Sequence, residues 1–250
     1  MCGRYAAKKD PATLSAEFDA IDATELDYRG PDYNVAPSKQ VFTVVERHPR
    51  DGEGNADAER TERSLRQMKW GLVPHWAKDP SVGNRMINVR SESAAEKPAF
   101  KTALKSRRAL MPADGWYEWR REGKQKQPFF MTTTDGSSLA LAAIWSTWRP
   151  KDADPDEPPL VTCAVLTTEA VGPLAEIHDR MPLVLQPEVW QRWLDPDRDD
   201  VSELLVPPPL ELVDALELRP VSDEVNNVRN NGPQLLERAD PGPPVQATLL

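Results

Sequence analysis

Ala109-Leu110-Met111-Pro112-Ala113-Asp114-Gly115-Trp116-Tyr117-Glu118-Trp119 passes from an apolar run through an Asp-Gly turn into a cluster of aromatics. Residues 109–113 read as a short strand that turns at Asp114-Gly115 into the aromatic stretch 116–119. Downstream, 123–127 is a basic turn, and 128–133, 138–145 and 160–167 are strands, the last two separated by an acidic, Pro-rich loop at 151–159. Upstream, 41–46 and 65–70 are strands flanking a polar, Gly-containing segment at 49–64, which reads as an exposed hairpin insertion. A further strand is expected at 216–221, and 183–185 is extended.

Helices are few. Asp10-Pro11 reads as an N-cap with Pro at the first helical position, followed by Leu14, Phe18 and Ile21 on one face. Ser93 and Glu96 resemble a capping box that opens a helix carrying Phe100 and Leu104. Gly172-Pro173 starts a short helix or turn, and 187–194 is a helix with Trp190, Trp193 and Leu194 on a shared face. The acidic, Pro-rich 195–209 holds a short helix with irregular flanks. Many short strands with few helices predict one α+β domain around a curved, largely antiparallel sheet. The domain is expected over 2–235 and an unpacked tail over 236–250, where Pro and Gly recur.

The chain's 250 residues can bury a sizeable core. Apolar runs are short, so no membrane span is expected, and no basic flank with an apolar core marks a secretory signal. Two cysteines argue against a disulfide framework and suit a reducing cytoplasm, and with three scattered histidines they predict no metal site. The net charge of −9 taken whole disfavours nucleic acid, but it is uneven. Residues 85–126 hold 11 Lys/Arg against 5 Asp/Glu, whereas 151–225 hold 5 against 18. One basic face could hold phosphates, or the charges could scatter over separate solvated surfaces.

Several polar islands sit where a strand core or turn would suffice. Removal of Met1 would leave Cys2 with a free α-amine and a thiol, a 1,2-aminothiol that closes a thiazolidine ring on an aldehyde. Gly3 permits close backbone approach, and Arg4 could place a phosphate beside the nucleophile. Asn34 and Pro37 lie in a stretch that reads as an Asx-turn before a strand. Trp70 and Trp76 flank Gly71-Leu72-Val73-Pro74-His75; they are core indoles, or wedges against an unstacked base. Asn88 and Arg90 share one side of an extended stretch, as phosphate or opened-sugar ligands or as a plain surface ladder. Glu118 is either desolvated among indoles, with a raised pKa suited to proton transfer, or exposed on an edge. His178, in His178-Asp179-Arg180-Met181-Pro182, is a proton carrier beside a phosphate-binding Arg180, or a structural residue. His48 and His75 read as structural, and Cys163 as strand core.

Together the islands resemble the SRAP family, the SOS response-associated peptidases that crosslink abasic sites. The matching stretches are Met1-Cys2-Gly3-Arg4-Tyr5, Tyr33-Asn34-Val35-Ala36-Pro37, the Trp70–Trp76 segment, Asn88-Val89-Arg90-Ser91-Glu92, Asp114-Gly115-Trp116-Tyr117-Glu118-Trp119, Ile177-His178-Asp179-Arg180-Met181-Pro182 and Val225-Asn226-Asn227-Val228-Arg229. The resemblance implies a single SRAP-type domain with a barrel-like sheet and flanking helices. It further implies a covalent sensor and shield of abasic sites in single-stranded DNA, acting in the DNA damage response. By this likeness Cys2 is the nucleophile, Asn88 orients the opened sugar or the amine, and Glu118 and His178 move protons. Arg4, Arg90 and Arg180 would grip phosphates, while Asn34, Pro37, Trp70 and Trp76 would shape the strand path at a single-strand/double-strand junction. No cofactor is implied, and a cytoplasmic monomer is expected, on the nucleoid when bound to DNA. A cysteine peptidase or N-terminal-nucleophile amidohydrolase with His178 as base, and a noncovalent reader of single-stranded DNA, stay open as alternatives. The segments 49–64, 151–159 and 195–209 depart from a compact family member.

Overall fold

The computed structural model describes residues 2–25, 27–154 and 156–239. Its strands in chain order are β1 (Tyr5–Ala7), β2 (Ile21–Asp22), β3 (Asp32–Val35), β4 (Gln40–Arg47), β5 (Glu62–Trp70), β6 (Asn88–Arg90), β7 (Arg108–Ala113), β8 (Gly115–Glu122), β9 (Gln125–Thr133), β10 (Leu139–Trp148), β11 (Leu160–Glu169), β12 (Arg180–Pro182) and β13 (Leu216–Pro220). One sheet is antiparallel throughout, in the order β13-β9-β8-β1-β3. The other runs β12-β11-β10-β7-β4-β5-β2, with β6 added beside β11. In it β11 also pairs with β5, at Thr162 with Lys69 and Cys163 with Trp70, so five strands close on themselves. The expected curved, largely antiparallel α+β fold is therefore present, with parallel pairs at β2–β5, β5–β11 and β6–β11.

Alternation along each strand sorts side chains into three cores. Val41, Val45, Met68, Trp70, Trp116, Leu141, Cys163 and Val165 point inward and pack with Cys2. Val44, Leu65, Leu110, Ile144 and Leu166 point outward and are covered by helices. Tyr117, Phe130, Val221, Val225 and Leu235 form a third cluster on the far side of the five-stranded sheet. Thus Trp116 and Tyr117, adjacent in sequence, serve different cores.

The covering helices are α1 (Pro11–Glu17), α2 (Ser91–Ala94), α3 (Lys101–Ser106), α4 (Pro187–Leu194) and α5 (Leu210–Asp214). Asp10 caps α1 as expected, accepting from the Thr13 amide at 2.7 Å. On α4, Trp193 is fully buried and donates to Ala109 O, while Trp190 stacks on Phe18 with centroids 4.6 Å apart. The expected helix from Ser93 differs. Ser93 lies inside the one-turn α2, and α3 starts only after Phe100, because Pro98 has no amide to continue the first turn. Arg108, one of the 85–126 cations, is no surface charge either: its buried guanidinium donates to the carbonyls of Leu104, Lys105, Trp193, Asp195 and Arg198.

The segment 49–64 is exposed and hairpin-like, with Arg50 bridging Ala56, but β5 already begins at Glu62. At the other end, Arg238 bridges Val221 and the Ala239 amide donates to Pro220 O. Residues 240–250, the rest of the expected tail, lie outside the described residues. No helix among the described residues is long and apolar enough to cross a membrane.

Candidate active site

The register of β1 on β8 brings the N-terminal segment to the inner face of the sheet. Tyr5 pairs with Trp116, and the Tyr117 amide donates to Arg4 O at 3.0 Å. Period two then puts Glu118 on the same inward side as Trp116, toward Cys2. From the other sheet, β6 lies along β11 with Asn88 opposite Val165 and Arg90 opposite Thr167. Asn88 Nδ2 donates to Cys2 O at 2.7 Å. Three segments that are far apart in sequence thereby meet at Cys2.

The electrostatics of this meeting point are set by burial. Glu118 is only 3% exposed, and burial pushes its carboxyl up to about 7, with the charge of Asp179 adding to the effect. Cys2 is 1% exposed, and its thiol is raised above the ordinary range by burial and then by the Glu118 charge. It is a protonated thiol at neutral pH, and its sulfur lies in the core rather than on an open surface. Burial also lowers His178. The Arg180 amide donates to His178 Nδ1 at 2.9 Å, which in the neutral ring leaves the proton on Nε2. A proton taken at Nδ1 meets Asp179 Oδ1 at 2.8 Å.

Buried polar atoms without a hydrogen-bond partner among the described residues include Asn88 Oδ1, Trp116 Nε1 and Arg180 Nε. Such orphans are uncommon in folded proteins and mark places where a ligand or ordered solvent belongs. No group of His, Cys, Asp and Glu among the described residues could hold a metal ion.

The sequence-predicted DNA contacts divide. Arg90 is exposed and Pro37 partly exposed, and Trp76 stands 55% exposed on the segment after Gly71. Trp70 does not wedge against anything outside: it is fully buried and donates to Ile87 O at 2.9 Å. Asn34 is likewise buried. Its Nδ2 donates to the carbonyls of Val225, Asn227 and Asn230, and its Oδ1 accepts from Arg4 at 2.7 Å. Arg4 also donates to Val225 O, so the Arg4–Asn34 pair clamps the C-terminal segment instead of facing solvent. The Arg180 side chain is 11% exposed and its fork is closed on Glu92, at 2.6 and 2.9 Å. A phosphate would have to displace that carboxylate.

Sequence reasoning missed Glu92 as the partner of Arg180, and Asp179 as the charge beside Glu118. Both stood in the quoted motifs, but their roles depend on β6 and β12 both docking on β11. It also missed what holds the Trp76 segment. Gly71 has φ +128°, and a Cβ there would stand 2.7 Å from Gly83 O. Trp148 donates to Ala77 O at 2.7 Å.

The model of the SOS response associated peptidase (SRAP) family matches residues 1–228. The abasic site processing protein YoqW of Bacillus subtilis is 37% identical over 249 residues, covering 95% of this chain and 99% of the relative. YedK of Escherichia coli, with the same description, is 34% identical over 95% of this chain and 99% of its own. HMCES of Gallus gallus, also an abasic site processing protein, is 32% identical over 99% of this chain and 81% of its own. Among solved structures, a Bacteroides thetaiotaomicron protein shares the fold at TM-score 0.78 and 21% identity, over 95% of this chain and all of that one. A phage-related protein of Bordetella bronchiseptica has TM-score 0.62 at 28% identity, over 88% of this chain and 94% of that one. By the family model over residues 1–228 and by relatives matched over nearly its whole length, this chain belongs to the SRAP family.

Proposed function

We propose that the protein senses and shields abasic sites in single-stranded DNA by forming a covalent crosslink through Cys2 after removal of Met1. The observation that carries this reading is the convergence of Cys2, Asn88 and the proton-holding Glu118 at one point. The names of the relatives supply the substrate: YoqW, YedK and HMCES are abasic site processing proteins.

The state of the two nucleophiles orders the chemistry. A thiol held protonated by burial is a poor first attacker, whereas an α-amine has a reference pKa of about 7.7–8.0. The amine therefore attacks C1′ of the ring-opened deoxyribose. Glu118, with a proton available near neutrality, protonates the departing hydroxyl, so water leaves and an imine forms. The thiol then adds across the C=N bond of the protonated imine: its proton passes to the Glu118 carboxylate, sulfur bonds to C1′, and the C=N electron pair returns to the nitrogen, which keeps its proton. A five-membered thiazolidine results. Asn88 fixes the Cys2 carbonyl and keeps Oδ1 for the sugar hydroxyl. His178, neutral with Nε2–H, assists opening of the hemiacetal. Arg90, Pro37 and Trp76 guide the strand, with Arg4, Asn34 and Trp70 as the frame beneath.

Intact mass spectrometry after incubation with an abasic oligonucleotide tests the proposal, since it reports Met1 removal and adduct mass together. The expected product is protein plus oligonucleotide minus one water. Cys2→Ala should lose the stable adduct while retaining an imine that borohydride traps. An equally stable adduct from Cys2→Ala would refute the thiazolidine, and hydrolysis of peptides dependent on Cys2 would favour the peptidase reading. Salt-sensitive binding of intact DNA without any adduct would favour a noncovalent reader.

A further inference from the structure

Toward the Leu160 end of β11, four arginines gather, none of them in an ion pair among the described residues. Period two along β4 and β5 puts Arg47 in line with Val45 and Arg66 in line with Met68, on the inward side of the closed strands. With Arg50, Arg107, Ser64 and Trp145 they line a cavity of about 650 Å³. Arg47, Arg66 and Trp145 also line the adjoining cavity of about 420 Å³. The guanidinium carbons of Arg47 and Arg107 stand 5.4 and 5.5 Å from the Trp145 ring centroid. Arg66 Nε donates to Ser64 Oγ at 3.0 Å, which leaves the Ser64 hydroxyl proton to be offered elsewhere.

In a chain of net charge −9 this cluster is unusual. Several other arginines are matched by carboxylates: Arg63 by Glu46, Arg180 by Glu92, Arg198 by Glu203, Arg219 by Glu217. Arg47, Arg50, Arg66 and Arg107 form no ion pair among the described residues, and Glu62 is the only carboxylate lining the larger cavity, with Glu25 on the smaller. Burial and then repulsion from Arg66 and Arg50 lower the pKa of Arg47, as expected for cations gathered ahead of an anion.

We propose that this cavity is a phosphate-binding site distinct from the Cys2 site. Arg47 and Arg66 present planar forks to the oxyanion, Ser64 donates its hydroxyl, and Arg107 and Arg50 close the rim. Trp145 is 7% exposed, with its ring engaged by guanidiniums, so it offers no platform for a base, and recognition is of the anion itself. Val161, which lines the smaller cavity, and Val165, opposite Asn88, stand about 13 Å apart along β11 at a strand's rise, so the two sites are separate. The phosphate belongs either to a small phosphorylated molecule or to the terminus of a nucleic acid strand.

The test is a heteronuclear NMR titration of the full chain with inorganic phosphate, followed by addition of a short intact oligonucleotide with or without a 5′-phosphate. Saturable shifts are expected at the Trp145 indole N–H and the Arg47, Arg66 and Arg107 Nε–H groups. Arg66→Gln should weaken phosphate about tenfold or more, Arg47→Lys less, and Lys97→Gln not at all. Cys2→Ala should leave the titration unchanged, which separates this site from the crosslinking reaction. Displacement of phosphate by the 5′-phosphorylated strand alone assigns the site to a strand terminus, and no displacement assigns it to a small ligand; either upholds it. Absence of shifts at those groups, or equal midpoints in wild type and Arg66→Gln, overturns it.

Discussion

Glu118→Gln separates the catalytic use of a buried acid from its cost. With the folded pKa at about 7 and the ordinary value at 4.5, Glu118 binds a proton in the folded chain that the unfolded chain has already released across that window. The sign follows from linkage: a raised pKa contributes stability that is complete below about 4.5 and is lost as pH rises through about 7. At about 1.4 kcal/mol for each pH unit, the loss between pH 5 and pH 8 comes to roughly 2–3 kcal/mol. Gln has nearly the same shape and never ionises. Urea denaturation should therefore find Glu118→Gln close to wild type at pH 5 and about 2–3 kcal/mol more stable at pH 8. In parallel, crosslinking to abasic single-stranded DNA should slow by about 10²–10⁴-fold, with affinity for intact DNA unchanged. A stability difference that is the same at both pH values would refute the desolvation argument, whatever the rates show.

Asn34→Ala should cost about 2–3 kcal/mol in denaturant titrations, because buried carbonyls at 225–230 and the Arg4 guanidinium lose their partner together. Gly71→Ala, at φ +128° and against Gly83 O, should lower stability by about 1–3 kcal/mol, seen as a lower Tm, and loosen the Trp76 segment. Trp76→Ala should leave stability within about 0.5 kcal/mol, since the indole is exposed, yet weaken fluorescence-anisotropy binding of intact single strands about fivefold or more.

The strands and the helices with clear signals were legible because their causes are local. Asp10-Pro11 caps a helix by its own side chain, and residues 187–194 carry the periodicity of α4. The break at Pro98 was also written locally, but Ser93 and Glu96 offered a competing pattern that the ring of Pro98 overrides. The site residues were legible as polar islands, not as partners. Nothing around Asn34 announces that its amide serves carbonyls some 190 residues away, and an Asn-Pro-containing turn reads the same whether it faces DNA or the core. Trp70 and Trp76 show the same limit. One indole is buried and one exposed, and which is which depends on the β5–β11 pairing that turns the chain at Gly71.

The Arg4–Asn34–Val225 clamp also bears on how the chain is born. Arg4 and the carbonyl it grips are separated by 221 positions, so nearly the whole polypeptide must leave the ribosome before that grip can close. Through synthesis the first strand lacks that lock, and on the proposed reading this is the interval in which Met1 is removed. Only when the Asn-rich stretch at 226–231 emerges can Asn34 take up its carbonyls beside the Arg4 contact. A chain cut short before Val225 would therefore fold its first strand without the carbonyls that Arg4 and Asn34 hold.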